Sequence, residues 1–386
     1  MKISLKLSQF AAQTGHDLSR PLYKFLRDML TGLVAKKSIL LSDVGRALNE
    51  PTDLLYTEKR LSRNLSSKRL DDAAIRENYL RSVRRDTENA VIAFDLSDVR
   101  KEYAEHQPYL AGIWDDSRKE KAYGYWLTQV EAVREDGKHI PLWLEAWSQK
   151  TPDFLSQNAV ITETIRKVAA HTAPSAVWVF DRGFDNPKVM AACEDAGVTY
   201  VIRQVGKRGI VGPDGKALTF EVAAAIPAPH RFVWRSIRHG KPRPIENRCG
   251  SVLVRVPDGK QRQLIILYRK GPEPMMLLSN SLDRSKANII RLARAYLRRW
   301  SVEEAIRAVK QVFELENLRP LTWTGIRRMV LFAFLAWAFL CKVAKTLRKS
   351  SRMFGWYKSF GETPEFFYYR LAEALAVLLL LNKAGP

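Results

Sequence analysis

Tyr296, Arg299, Glu303 and Lys310 bring a phenol, a guanidinium, a carboxylate and an ammonium together in the segment from Ala295 to Lys310. At about 100° per residue, the four positions fall within an arc of roughly 60° on a helix. One helix face would then offer a ligand for a hard cation and, beside it, groups that hold phosphate. Val302, Ala305, Ile306, Val309 and Phe313 form a separate apolar stripe that can pack on a core. Glu304 lies off both stripes, so spacing selects Glu303 of the two adjacent glutamates.

Two further carboxylates close apolar runs of strand length. Ala90 to Phe94 ends at Asp95-Leu-Ser-Asp98, and Ala176 to Phe180 ends at Asp181-Arg-Gly-Phe-Asp185. Loops at the carboxyl ends of sheet strands are where α/β proteins commonly place their chemistry. A single aspartate after a strand is most often a turn residue, and a charged helix face is most often a solvated one. Here the three occur together. Carboxylates without histidine or cysteine make a hard oxygen site, suited to Mg²⁺ or Mn²⁺ rather than zinc. Two such ions about 3.5 to 4 Å apart can activate water on one side of a phosphodiester and stabilise the leaving oxygen on the other.

The remaining composition narrows the partner. The chain has 386 residues and a formal charge of +22, with 46% hydrophobic and 27% charged residues, as in soluble globular proteins. Residues 200–310 carry 23 Lys or Arg against 8 Asp or Glu, and residues 1–90 carry 17 against 11. The excess is therefore concentrated around the four-residue face, which favours nucleic acid over a membrane surface. The apolar runs Met329 to Cys341 and Leu375 to Leu381 are shorter than the roughly 18 to 20 residues that span a bilayer, and no signal peptide is read at the N-terminus. No membrane partner is expected. Cys193, Cys249 and Cys341 fit neither a disulfide framework nor a zinc spacing, which suits the cytoplasm.

The elements that must position these residues follow from periodicity and turn chemistry. Residues 1–86 read as helical, with start signals at Ser42-Asp43 and Thr57-Glu58. Both a small DNA-binding domain and a plain bundle with a basic face fit this stretch. Tyr123 to Val133 and Ile140 to Trp147 read as a hairpin through Glu135-Asp-Gly-Lys138. Thr151-Pro152 is expected to open a helix, as is Asn186-Pro187, and Gly197 to close the second before a strand at Val198 to Arg203. Strand and helix alternate here as in an α/β layer around a mixed sheet. Residues 205–283 break that alternation with strands expected at Phe232 to Ile237, Ser251 to Val256 and Gln263 to Arg269. They read as a β-rich insertion, and the chain is mainly helical thereafter.

With these features assembled, the chain resembles the bacterial insertion-sequence transposases of the DDE type, in the cut-and-paste group marked by Tyr-x2-Arg-x3-Glu-x6-Lys. Tyr296, Arg299, Glu303 and Lys310 meet every spacing of that signature, with Trp300 after the arginine. Phe94-Asp-Leu-Ser-Asp98 looks like the family's first acidic motif and Asp181-Arg-Gly-Phe184 like its second.

The resemblance implies a ribonuclease-H-like mixed-sheet core in two parts, residues 87–204 and 284–345. Around it would lie a helical DNA-binding domain at 1–86, the β-rich insertion at 205–283 and a helical C-terminal region at 346–386. It further implies that Asp95, Asp181 and Glu303 bind two Mg²⁺ or Mn²⁺ ions, with no other cofactor. Tyr296, Arg299 and Lys310 would hold DNA phosphates. Trp300 would either stack on a displaced base or pack on its helix, and Trp234 in the insertion is a candidate wedge or stacking residue at the transposon end. Arg182 is either structural or phosphate-facing.

The expected activity is cleavage at terminal inverted repeats and strand transfer into target DNA, by a homodimer in a bacterial, nucleoid-associated setting. A catalytically silent DNA-binding derivative and a nuclease without strand transfer are the alternatives.

Overall fold

The computed structural model describes residues 3–115, 119–238, 241–269, 271, 273–348 and 367–381. Five helices lead the chain: α1 (Ile3–Thr14), α2 (Arg20–Lys36), α3 (Leu41–Leu48), α4 (Leu54–Leu65) and α5 (Asp72–Val83). Two of them start earlier than the capping signals suggest. Thr57 lies within the first turn of α4, buried, and its hydroxyl donates to Glu50 Oε2 at 3.1 Å. It is consumed by packing and caps nothing.

The sheet is built from β1 (Val91–Arg100), β2 (Ala111–Asp115), β3 (Glu120–Val133), β4 (His139–Trp147), β5 (Val177–Phe180) and β6 (Thr199–Arg203). It continues through β7 (Gly209–Gly212), β8 (Gly215–Leu218), β9 (His230–Arg238), β10 (Lys241–Arg255), β11 (Gln261–Tyr268) and β12 (Met275–Ser279). The order is β2-β3-β1-β5-β6-β12-β11-β10-β7-β8, with β4 paired to β3 and β9 to β10. β1, β5 and β6 run parallel to one another, and their neighbours join antiparallel. The strands of residues 205–283 are thus part of the same sheet, because β12 pairs with β6 through Leu278 and Ile202. The molecule is a mixed α/β fold around one large mixed sheet.

Alternation along the central strands sorts their side chains into two layers. Ile92, Phe94, Trp178 and Phe180 join the larger core, which also takes Ile161, Ile165 and Val168 of α6 (Gln157–Ala169) and Val189 of α7 (Pro187–Asp195). Val91, Ala93, Val177 and Val179 face the other way, into a smaller core with Ile289, Leu292, Ala293 and Tyr296. Those last residues belong to α9 (Lys286–Arg298), which follows the short α8 (Thr219–Ala225) and leads into α10 (Trp300–Val312).

α7 begins as expected, with Asn186 accepting from Lys188 N at 2.9 Å and Pro187 at its first turn. α6 does not begin at Thr151-Pro152. Those residues form a turn, Phe154 stacks on Trp147 at 5.7 Å, and Ser156 caps the helix by accepting from Ala159 N at 3.1 Å.

The apolar run Met329 to Cys341 lies in α11 (Trp323–Arg348) and is buried along its length. α11 joins the leading helices to the sheet. Arg328 donates to the carbonyls of Leu65, Ser67 and Leu70 and to Asp72, while Trp337 Nε1 donates to Glu131 of β3 at 3.3 Å. Among the described residues no helix is long and apolar enough to cross a membrane. The final described helix is α12 (Phe367–Leu381), and the rest of the helical expectation for 346–386, at 349–366 and 382–386, lies outside the described residues.

Candidate active site

β1 and β5 pair in parallel through Val91 and Val177, Ile92 and Trp178, and Ala93 and Val179. Asp95 and Asp181 each follow two residues after the last of these pairs, and Asp181 keeps extended dihedrals of φ −75° and ψ −178°. The two carboxylates therefore stand at the same level of adjacent strands, on the face that carries α9. Backbone amides hold both. Leu96 N donates to Asp95 Oδ1 at 2.9 Å and Gly183 N to Asp181 Oδ1 at 2.8 Å.

The electrostatics tie in the third acid. Burial pushes the Asp95 carboxyl up to about 7, and the negative charges of Asp181 and Glu303 push the same way, against the pull of Arg299 and the Leu96 amide. Arg299 is only 8% exposed and donates from Nη2 to Glu303 Oε1 at 2.8 Å. Burial pulls its guanidinium down, but Tyr296, Glu303 and Asp95 around it outweigh this and hold it above the ordinary value.

The expected helix over Tyr296 to Lys310 forms as two helices that meet at Arg299, which itself keeps helical dihedrals of φ −51° and ψ −36°. Ala305, Val309 and Phe313 are buried as the apolar stripe requires. The polar face divides by depth. Arg299 and Glu303 lie at the acids, and Lys310 Nζ is 3.9 Å from Asp98 Oδ1, farther along β1. Tyr296 is 2% exposed and packed in the smaller core. Trp300 is 58% exposed at the start of α10, as stacking on a nucleotide would need. Trp234 lies in the insertion on β9, packed beside Phe232 against the smaller core.

Sequence reasoning passed over Gln129. It faces Asp95 directly across the β1–β3 ladder, is 3% exposed, and its Oε1 has no hydrogen-bond partner. Cross-strand partners project to the same side, so this amide belongs to the acidic centre. A glutamine and a glutamate alternating inside the apolar run Leu127 to Val133 were the available signal. Arg182, left open above, is exposed beside Asp181.

Among the described residues no three His, Cys, Asp or Glu side chains gather tightly enough to hold one metal ion, with Glu303 turned onto Arg299. The donor set itself is carboxylate, and Asp95 and Asp181 in register fit a hard divalent ion.

The Transposase DDE domain family matches residues 89–339, a span that contains Asp95, Asp181, Glu303 and Lys310. The chain belongs to this family. This DDE transposase is also similar to piggyBac transposase, in a cryo-electron-microscopy structure of its synaptic complex with hairpin DNA. The identity is 11% and the TM-score 0.44, with 100% of this chain and 80% of that chain covered. No protein of curated function matches the sequence.

Proposed function

We propose that the protein is an insertion-sequence transposase that binds terminal inverted repeats, hydrolyses the strand at the element boundary and transfers the freed 3′-hydroxyl into target DNA. The observation that carries this reading is the register of Asp95 with Asp181 on adjacent parallel strands, electrically coupled to each other and to Glu303. We read the β4-β3-β1-β5-β6 half of the sheet as a ribonuclease-H-like core.

Asp95 and Asp181, with Glu303 as the third ligand, would hold Mg²⁺ or Mn²⁺. When bound, two such ions supply an activated water and a stabilised leaving oxygen for in-line displacement. The protein's own groups do the rest. Arg299 presents a planar fork suited to a scissile phosphate, and its present partner Glu303 is a carboxylate that a phosphate would replace. Lys310 supplies a point charge farther along β1. The +22 charge of the chain draws in duplex DNA despite the acidic centre. Pairing of two DNA ends by two copies of the chain completes the reading.

The test is an assay with labelled inverted-repeat ends, Mg²⁺ and a circular target. Asp95→Asn, Asp181→Asn and Glu303→Gln each remove cleavage and leave end binding largely intact. Full cleavage by any one of them ends that residue's assigned role. Cleavage without joining to the circle would make the protein a nuclease, and end binding without cleavage would make it a silent DNA-binding derivative.

A further inference from the structure

A cavity of about 380 Å³ lies between α9 and the leading ends of β1 and β5, and Arg291, Arg294 and Arg298 line it together with Ala90, Val91 and Val177. From Ala90 to Asp95 is five residues of extended strand, so the cavity is about 16 Å from the acidic centre along β1. We propose that this groove is a second DNA anchor, which holds a phosphodiester backbone at the leading end of β1, five residues before Asp95.

Arg291, Arg294 and Arg298 occur at helical intervals that put them on one flank, and they cover about 10 Å of axis at 1.5 Å per residue. One strand of B-DNA places a charge every 3.4 Å of its axis, so that length matches about three phosphate spacings.

Each guanidinium is also oriented. Arg291 donates from Nε and Nη2 to Asn288 Oδ1 at 3.2 and 2.8 Å. Asn288 is fixed in turn, donating to Ser281 Oγ at 3.0 Å and to the Asp283 carbonyl at 2.7 Å. The acceptor on Arg291 is thus a neutral amide, and an arriving anion competes with no carboxylate hydrogen bond there. Arg294 lies over the Phe232 ring at 5.3 Å, which steers its stem. Arg298 reaches Glu135 at 3.3 Å, but that glutamate is 83% exposed on a turn, and such surface pairs are worth little. A phosphate readily takes its place.

The lining also selects among anions. Its apolar floor is aliphatic, with no aromatic ring among the lining residues on which a base could stack. A linear row of guanidiniums over such a floor suits a backbone better than a nucleobase. The inference rests on the reading of the protein as a DNA-acting enzyme, and the experiment separates the two.

The full-length chain is titrated with fluorescent duplex DNA by anisotropy over a range of NaCl. The comparison is between wild type, Arg294→Glu, and the triple variant Arg291→Ala/Arg294→Ala/Arg298→Ala. Loss of three phosphate contacts lowers the slope of log K against log salt by about 2 to 3, at roughly 0.9 per contact. Arg294→Glu reverses the charge in the middle of the row, gives up the contact with the Phe232 ring, and weakens duplex binding by at least one phosphate contact.

Unchanged slopes in variants that melt with wild type overturn the groove and leave the transposase reading standing. Competition by inorganic pyrophosphate at the groove, with duplex binding unaltered in the variants, also overturns it, as a small-anion site. A wild-type chain that binds no duplex overturns both.

Discussion

Replacing Asp95 by asparagine removes one of three coupled negative charges from a buried place, so the variant gains stability. With its carboxyl raised from 3.8 to about 7, the folded chain binds a proton more tightly than the unfolded chain does. Stability therefore falls as pH rises between these two values, because the folded state carries more protons across that window. The full cost is present above about pH 7 and absent below about pH 4.

A carboxyl raised from 3.8 to about 7 corresponds to about 4 kcal/mol. Asparagine keeps a carbonyl for the Leu96 amide but leaves its own amide to be satisfied, which reduces the expected gain to about 2 to 3 kcal/mol. The measurement is urea unfolding of wild type and Asp95→Asn in EDTA from pH 4.5 to 8.5. The two curves should approach at the acidic end and separate steadily toward pH 8. Added Mg²⁺ should stabilise wild type more than the variant, since the ion removes the same repulsion. An Asp95→Asn chain no more stable than wild type at pH 8 would refute the electrostatic account of this centre.

Two other substitutions probe the frame that positions the acids. A Cβ at Gly124 would sit 2.0 Å from the Val99 carbonyl oxygen, so Gly124→Ala must push β3 from β1; a loss of about 2 kcal/mol or more in urea unfolding is expected, together with reduced cleavage. Arg262 is 1% exposed and donates to Tyr200 Oη and to Glu194, each at 2.6 Å, and to Asp258 at 2.8 Å. Arg262→Met takes the guanidinium from Tyr200 and Asp258 and leaves Glu194 with Lys260 alone, which should cost about 2 kcal/mol, read as a lower urea midpoint.

The legible part of the sequence was the part governed by local rules. Strands covered on both faces read as unbroken apolar runs, so the acid closing each run stood out; β5 does end before Asp181, but β1 continues through Asp95 to Arg100, because its ladder with β3 runs on past the acid. The Asp-Gly turn at Asp136-Gly137 marked the hairpin of β3 and β4, and Gly137 does adopt a positive φ of 74°. Other features depended on partners distant in sequence. Nothing near Met275 announces that β12 will pair with β6 and extend the central sheet. Thr57 resembles a cap, and Thr151-Pro152 a helix start, until Glu50 and Trp147 claim the side chains of Thr57 and Phe154. A helical wheel gave the direction of Tyr296 but not its depth, and the burial of its ring follows from how α9 lies on Val91 and Val177. Gln129 acquires meaning only through its partner across the ladder.

The seating of the first five helices on α11 has a bearing on how the chain is made. Phe25 and Phe332 meet edge to face at 5.3 Å, and the tilted rings of Phe10 and Phe339 lie 5.7 Å apart, so the apolar side of the leading helices is closed by residues some three hundred positions later. At 5 to 20 residues per second, a ribosome needs about 15 to 60 s to deliver that covering segment. During this interval the nascent N-terminal region exposes a greasy surface to the cell, and chaperone attendance in synthesis is the natural counterpart of so late a closure.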